Sequence, residues 1–173
     1  MDFAALVADY IANYRDPAQR ELRYYMIQRS LADAIREASL SRLPSGKRHP
    51  HQRRIPLHVL QAANSRLQAI AQRLGKAPSF AELHRLITQQ IGPIRGIGDL
   101  TVYDIAHRVG AFLRLTPDAI YLHAGTRKGA RTLNLAGDTI ALSEAPAEFQ
   151  KLTPAEVEDC FCIYKDVLRS DEL

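Results

Sequence analysis

The sequence is poor in cysteine and has no tryptophan. Among its 173 residues, the two cysteines are Cys160 and Cys162, two positions apart in a segment with helical character. Side chains two apart on a helix point away from each other, so this pair predicts neither a disulfide nor a shared metal ion. The four thiolates that hold an iron–sulfur cluster are missing. We therefore expect two reduced thiols in a cytoplasmic protein.

Long apolar runs are also missing. No stretch reaches the roughly 18 consecutive apolar residues of a membrane span. The N-terminal segment carries Asp2 and Asp9 and has no basic lead, which is untypical of a secretory signal. Hydrophobic residues nevertheless make up 46% of the chain, enough for a buried core. These features predict that no membrane is among the partners.

The charge balance has only a small excess of one sign, +4 with neutral histidines. This excess is compatible with a polyanionic partner but does not indicate one. Basic side chains are concentrated in two segments that contain glycine or proline: "SRLPSGKRHPHQRRIP" (residues 41–56), with Lys47, Arg48, Arg53 and Arg54, and "HAGTRKGAR" (residues 123–131), with Arg127 and Lys128. Each segment is interpreted either as a phosphate-binding loop or as an ordinary solvated turn.

Two histidines lie inside the first basic segment. His49 and His51 have a spacing that is compatible with metal binding, but no carboxylate or cysteine accompanies them there. Because a protein metal site needs three or four donor groups, the sequence predicts no metal site.

Apolar residues recur at helical spacing through most of the chain. Capping boxes at Ser79–Glu82 and Thr153–Glu156 mark two helix starts. The one stretch with strand character is "NLAGDTIALS" (residues 134–143). We expect a single all-α domain over residues 1–173, a compact bundle of six to eight helices. The predicted helices begin at Phe3, cover about 18–40, about 56–74 and about 80–113 with a glycine turn inside, and end with one at about 154–170.

The glycine turn lies in "PIRGIGDLTVYDIA" (residues 93–106), where Gly96 and Gly98 bracket Ile97. A glycine pair allows dihedral angles closed to other residues, so two helices can pack antiparallel with a short loop while Ile97 points inward. The next helix would then begin with free amides at its positive dipole end, which favours a phosphate. Neither a dinucleotide-binding G-x-G-x-x-G nor a P-loop G-K-[ST] fits this segment. A purely structural helix–helix turn stays open as the alternative.

The segment "RGIGDLTVYDIA" resembles the helix–hairpin–helix DNA-binding motif, close to P-G-h-G-x-x-T-A-x-x-h-A. Arg95 and Val102 replace the usual proline and alanine, and the positions that match are Gly96, Ile97, Gly98, Thr101, Ile105 and Ala106. The resemblance implies double-stranded DNA as partner, with a phosphate held by the hairpin. It implies no cofactor beyond a monovalent cation at the hairpin carbonyls. The hairpin residues it assigns to the DNA backbone are Arg95, Gly96, Ile97, Gly98, Leu100 and Thr101.

Asp118 follows the hairpin at the interval at which the helix–hairpin–helix superfamily of DNA glycosylases has its catalytic aspartate. Leu100 stands where bifunctional members of that superfamily have a Schiff-base lysine. The resemblance therefore implies a DNA-glycosylase-like fold and a monofunctional enzyme that removes a damaged or modified base by hydrolysis. In that reaction the Asp118 carboxylate would stabilise positive charge on the deoxyribose and orient the water.

Other interpretations of these residues stay open. Thr116, Pro117 and Asp118 also fit the first turn of a helix, where the carboxylate would only act as a cap. A non-catalytic helix–hairpin–helix DNA-binding or adaptor protein would keep the hairpin and lack the chemistry. A helical protein–protein interaction domain would use the glycines only as a turn.

Overall fold

The computed structural model describes residues 2–168. The chain divides into two compact units, one formed by Met1–Ala18 with Pro117–Leu173 and the other by Gln19–Thr116. We call them the terminal unit and the central unit. The expectation of one domain over residues 1–173 stays a prediction.

Helices α1, α8 and α9 build the terminal unit. Asp2 caps α1 by accepting a hydrogen bond from the Ala5 amide at 3.1 Å. Thr153 and Glu156 form the predicted capping box of α9. The elements in chain order are α1 (Phe3–Asn13), β1 (Ile120–Tyr121), α8 (Ala124–Thr132), β2 (Thr139–Ile140), 3-10 turns at Leu142–Glu144 and Phe149–Lys151, and α9 (Pro154–Ile163).

The predicted strand character of residues 134–143 is confirmed by a short antiparallel pair in the terminal unit. Strand β2 pairs with β1, and Ile120 lies opposite Ile140. Both isoleucines are buried in the core of this unit. Large fully buried side chains of the same core include Tyr10, Phe149 and Phe161.

Helices α2 to α7 build the central unit, to which α2 belongs from Gln19 onward. Helix α7 packs against α3 and α6, and α4 packs against both α3 and α6. Ile105, Ala106 and Val109 of α7 are completely buried. The elements are α2 (Arg15–Met26), α3 (Leu31–Ser39), a 3-10 turn at Pro50–Gln52, α4 (Leu57–Ala69), α5 (Ala71–Leu74), α6 (Phe80–Ile91) and α7 (Asp99–Leu113).

The prediction of one long helix over about 18–40 is wrong. The chain forms α2 and α3 with a break between them, because the Ser30 hydroxyl accepts a hydrogen bond from the Asp33 amide and starts a new helix. Met26 and Ile27, which one continuous helix would place on its buried face, are 41% and 74% exposed. The predicted helix over 56–74 is likewise interrupted, at Ile70.

The final helix is shorter than predicted. Helix α9 ends at Ile163, and residues 165–167 form a turn. The predicted end near residue 170 lies outside the described residues. Residues 2–168 contain nine α-helices and one two-residue strand pair, so the predicted all-α class is confirmed, with more and shorter helices than expected. Within the same range, no helix combines the length and the apolar character needed to cross a membrane.

Candidate nucleic-acid interface

The glycine turn joins α6 to α7 in the central unit, as predicted. Two backbone hydrogen bonds close it, from the Ile94 amide to the Ile91 carbonyl and from the Ile97 amide to the Ile94 carbonyl, both 2.9 Å. Ile97 is 9% exposed, so the expected inward anchor is confirmed. Gly96 has φ of +98°, a backbone conformation that favours glycine. The turn therefore needs a glycine at position 96.

Gly98 serves a different purpose from the one predicted. Its backbone is extended, with φ of −110° and ψ of 174°, so any residue can adopt it. A Cβ built on Gly98 would meet nothing within 4 Å, and the residue is exposed. The second glycine therefore leaves the tip of the hairpin open rather than providing an unusual dihedral angle.

The start of α7 lies at this open tip. The Gly98 carbonyl accepts the hydrogen bond of the Val102 amide at 3.1 Å, and amides earlier in a first turn have no acceptor within their own helix. Gly98 is the N-cap and has no side chain that could cap them. The positive end of the helix dipole attracts an anion here, while the carboxylate of Asp99 in the first turn opposes it.

The first basic segment (residues 41–56) ends just before α4, the helix whose first turn lies beside the hairpin. Gly96 faces Val59 in the first turn of α4, since a Cβ on Gly96 would lie 3.6 Å from Cγ1 of Val59. Residues 41–56 lead directly into α4. The exposed side chains of Arg53 and Arg54 are therefore within a few residues of the helix turn that contacts the hairpin.

Four of the five basic side chains of the central unit that were predicted to bind DNA are accessible to a phosphate. Within residues 2–168, no ion pair involves them, and all are exposed. They are Lys47, Arg53, Arg54 and Arg95. The fifth, Arg48, is half-buried and donates from its guanidinium to the Ile55 carbonyl at 2.7 Å. Arg48 therefore stabilises the fold of this segment through its hydrogen bond to the Ile55 carbonyl.

The first basic segment is ordered by its own backbone. The Leu43 amide donates to the Lys47 carbonyl at 2.9 Å, and the His49 amide donates to the Ser41 carbonyl at 2.8 Å. Gly46 turns the chain between them with φ of +73°. The segment is thus a compact hairpin that holds Lys47 near its tip.

A buried polar cluster holds this segment against α7. The Arg108 side chain is 4% exposed, and its guanidinium lies 3.3 Å from Oε1 of Glu21 and 3.9 Å from Oδ2 of Asp104. Asp104 Oδ2 also accepts a hydrogen bond from Nε2 of Gln52 at 2.5 Å and lies 3.4 Å from Nδ1 of His51. Sequence analysis missed this cluster, because its members come from three separate parts of the chain.

The electrostatics of the cluster keep its carboxylates charged. Burial alone would raise the pKa of Asp104, but the Arg108 guanidinium and the hydrogen bonds of His51 and Gln52 hold that pKa well below its usual range. The pKa of Glu21 is also lowered: its burial acts against this, and a hydrogen bond from His49 and the charge of Arg108 outweigh the burial. Two carboxylates therefore neutralise one buried guanidinium.

In the same cluster, the Asp104 carboxylate lies beside His49 and His51, which the sequence alone did not indicate. One nitrogen of each imidazole and one carboxylate oxygen of Asp104 all lie within 4.8 Å of one another. The Oε2 atom of Glu21 lies 3.5 Å from Nε2 of His49. A sequence signal for this arrangement is lacking, since Asp104 follows His51 by 53 positions.

Asp118 lies in the terminal unit, on an exposed bend. The alternative interpretation of a helix cap is wrong, because the chain continues from this bend into β1 and not into a helix. Ile120, two residues later, is held by its pairing with Ile140. Burial, with the nearby charge of Asp118, raises the pKa of Tyr121 to about 12. Asp118 thus lies at the surface of this unit, near the buried Tyr121.

The second basic segment is a helix and not the predicted loop or turn. Arg127 and Lys128 lie on α8, and each has a carboxylate partner: Asp138 for Arg127 at 2.9 Å, and Asp166 for Lys128. The glycines of this segment allow α8 to approach α9, since a Cβ on Gly129 would lie 2.3 Å from the Phe161 carbonyl oxygen. Helix packing therefore explains the composition that had indicated a loop.

His123, just before α8, is the N-cap residue of that helix and is buried. Its imidazole contacts the carboxylate of Glu158 on α9, and the Thr126 hydroxyl donates to the same carboxylate at 2.8 Å. All three side chains are at most 5% exposed. This cluster joins α8 to α9 inside the terminal unit and is closed to solvent.

No protein-family model, curated protein or solved structure matches this chain. The resemblance to the helix–hairpin–helix superfamily therefore depends on residues 95–106 and on the position of Asp118.

Proposed function

We propose that the protein binds the sugar–phosphate backbone of double-stranded DNA through the α6–α7 hairpin. The observation that carries this proposal is the exposed tip at Gly96 and Gly98, where α7 begins without a capping side chain. Backbone amides at such a tip donate hydrogen bonds to a phosphate oxygen, and the helix dipole favours its negative charge.

The exposed cations of the central unit extend the interface beyond the tip. Arg95 belongs to the hairpin itself, and Arg53 and Arg54 precede the helix turn that Gly96 contacts. Each phosphate neutralised by such a cation releases counterions, which gives a slope of about −0.9 in log K against log salt concentration. Three to five contacts therefore predict a slope of roughly −3 to −4.5.

A single substitution at the tip tests this proposal against a purely structural turn. In Gly98→Asp, the new carboxylate would accept hydrogen bonds from the first-turn amides and would also repel phosphate. The variant should be as stable as the parent or slightly more stable, because Asp is a good N-cap. Its affinity for a 20-base-pair duplex, measured by fluorescence anisotropy, should fall at least tenfold.

The matched control is Ser79→Asp, which places the same added charge at the N-cap of α6. Ser79 already caps that helix through the Glu82 amide, so its fold should be retained. DNA affinity of this variant should change less than threefold. Equal losses in the two variants, or binding by the parent that does not respond to salt, would contradict the proposal.

A second candidate function, hydrolytic base excision, is favoured by the setting of Asp118. An exposed carboxylate outside any helix has no capping role to account for it. In base excision it would stabilise the positive charge that develops on the deoxyribose and orient the attacking water, while the target nucleotide is turned out of the duplex. Leu100, where a Schiff-base lysine would be needed, implies base removal without strand cleavage.

Asp118→Asn tests the second candidate on duplexes that carry a panel of damaged and modified bases. Base release by the parent and its loss in the variant, with DNA affinity kept, would support catalysis. Asp16→Asn, another exposed carboxylate of the same unit, is the control and should keep the activity. Salt-dependent binding without release of any base would instead favour the non-catalytic DNA-binding module. A protein that binds no DNA would favour the protein–protein interaction domain.

A further inference from the structure

We infer that His49, His51 and Asp104 form a binding site for one divalent transition-metal ion. This inference does not depend on the proposed DNA binding. The inference rests on one geometric observation: one donor atom from each of the three side chains lies within 4.8 Å of the other two.

The spacing suits a small metal ion. With metal–nitrogen and metal–oxygen bonds of about 2.0–2.1 Å, two ligand atoms of a tetrahedral site are about 3.3 Å apart. The Nδ1 atom of His51 lies 3.4 Å from Oδ2 of Asp104, and the centroids of the His49 and His51 rings are 4.5 Å apart. Small side-chain rotations are therefore enough to bring the three donors around one ion.

The fold holds these donors in place before any ion binds. His49 and His51 flank Pro50 at the 3-10 turn, whose backbone is fixed by the hydrogen bond from the Gln52 amide to the His49 carbonyl at 3.1 Å. Asp104 lies on α7, and its side chain is 14% exposed. The Gln52 side chain donates to Asp104, and Glu21 faces the His49 imidazole. Such outer partners orient metal ligands in known sites.

The local charge favours one cation. Glu21 and Asp104 contribute two negative charges, and Arg108 contributes one positive charge, so the cluster keeps an excess of one negative charge when both imidazoles are neutral. The Arg108 guanidinium lies 3.9 Å from Oδ2 of Asp104, and the Gln52 side chain donates a hydrogen bond to the same oxygen. A divalent ion would reverse the sign of that excess, and Arg108 would then oppose a second ion.

The donor set points to the class of ion. Two imidazole nitrogens and one carboxylate oxygen suit Zn²⁺, Co²⁺ or Ni²⁺ better than Mg²⁺ or Ca²⁺, which prefer oxygen ligands alone. Three protein ligands leave further coordination positions to water. The His51 side chain is 45% exposed, so the site opens to solvent.

Titration of the tag-free full-length protein with Co²⁺, after treatment with a chelator, tests the inference. No DNA is present, so the result is independent of the hairpin proposal. Binding should give visible absorption bands of four- or five-coordinate cobalt, with one ion per chain, and Zn²⁺ should displace it. Calorimetry with Zn²⁺ should give the same stoichiometry.

Four variants, one of them a control, assign the site, with circular dichroism as the check of folding. His49→Ala and His51→Ala should each weaken Co²⁺ binding at least tenfold. His58→Ala, which removes another exposed histidine nearby in sequence, should leave binding within twofold. His51→Cys should keep binding and add a thiolate-to-cobalt charge-transfer band, which a merely structural role of His51 would not produce. Absence of cobalt bands in the folded parent, or equal binding by the parent and both alanine variants, would overturn the inference.

Discussion

Gly96 faces Val59: a Cβ at position 96 would lie 3.6 Å from Cγ1 of Val59, an ordinary van der Waals distance. A methyl group at position 96 would therefore fit against the first turn of α4 without a clash. The glycine at this point is required by its backbone, with φ of +98°, and not by crowding.

Gly96→Ala should therefore destabilise the protein through backbone strain alone. A non-glycine residue in such a conformation costs about 1–3 kcal/mol. Urea denaturation should show this loss, whereas Gly98→Ser, at an extended N-cap position where a Cβ would meet nothing within 4 Å, should keep or slightly raise the stability. Similar losses in the two variants would contradict the distinct roles of the two glycines.

The elements that the sequence predicted well are those set by neighbouring residues. The caps at Ser79 and Thr153 are bonds between residues three apart, so they determine where α6 and α9 begin regardless of the rest of the fold. The burial of Ile97 follows from the geometry of a short turn between two helices. Local patterns of this kind carry their own structural information.

What the sequence did not predict depends on distant contacts. The apolar spacing from 18 to 40 continues across the α2–α3 break, and only the Ser30 cap marks it. The strand after Asp118 exists because Ile140 pairs with Ile120. The carboxylate beside the two histidines comes from α7, whose register against the first basic segment no local pattern encodes.

Removal of the buried Arg108 side chain should cost more stability than any other substitution proposed for the central unit. Its guanidinium contacts Glu21, Gln52 and Ser41, and it lies 5.5 Å from the centre of the Tyr25 ring. Arg108→Ala would leave carboxylates near one another without their counter-charge, and removing one partner of a buried pair costs about 3–5 kcal/mol. Denaturation in chelator, without metal, measures this loss.

Arg85→Ala is the control for that substitution. Arg85 is 52% exposed on its side chain and pairs with Glu82 one helix turn away. Exposed pairs of this type contribute little to stability, because solvent screens them. A loss in Arg108→Ala as small as in this control would show that the buried cluster does not stabilise the fold.

His107 should make the protein less stable in mild acid. Burial lowers the pKa of His107 from 6.5 to about 4, while Asp104 and Glu21 act to raise it and Arg108 to lower it further. The unfolded chain therefore binds a proton between these pH values that the folded chain does not. The contribution of the neutral His107 to the free energy of unfolding is fully present above pH 6.5. It is lost as the pH is lowered towards 4, by at most about 3 kcal/mol.

His107→Phe should remove this part of the pH dependence while keeping the ring contacts with Tyr103 and Phe80. Unfolding free energies from pH 7 to pH 4 should decline less steeply in the variant than in the parent. His58→Ala, at an exposed position of α4, should leave the decline unchanged. Parallel curves for the parent and His107→Phe would exclude His107 as the source.

Gly129→Ala should be the most damaging glycine substitution in the terminal unit. A Cβ there would lie 2.3 Å from the Phe161 carbonyl oxygen and 3.2 Å from Cδ1 of Leu168, so α8 would have to move away from α9. Overpacking of this kind costs about 1–3 kcal/mol or more, and thermal unfolding should show the loss directly.

Gly125→Ala, one turn earlier on α8, should cost less and be repairable. Its Cβ would lie 2.9 Å from Sγ of Cys162, the end of a side chain rather than backbone. Adding Cys162→Ala should restore most of the stability lost in Gly125→Ala and none of the stability lost in Gly129→Ala. Rescue of Gly129→Ala by the same change would mean that side-chain crowding, and not the close approach of the α9 backbone, sets the distance between the two helices.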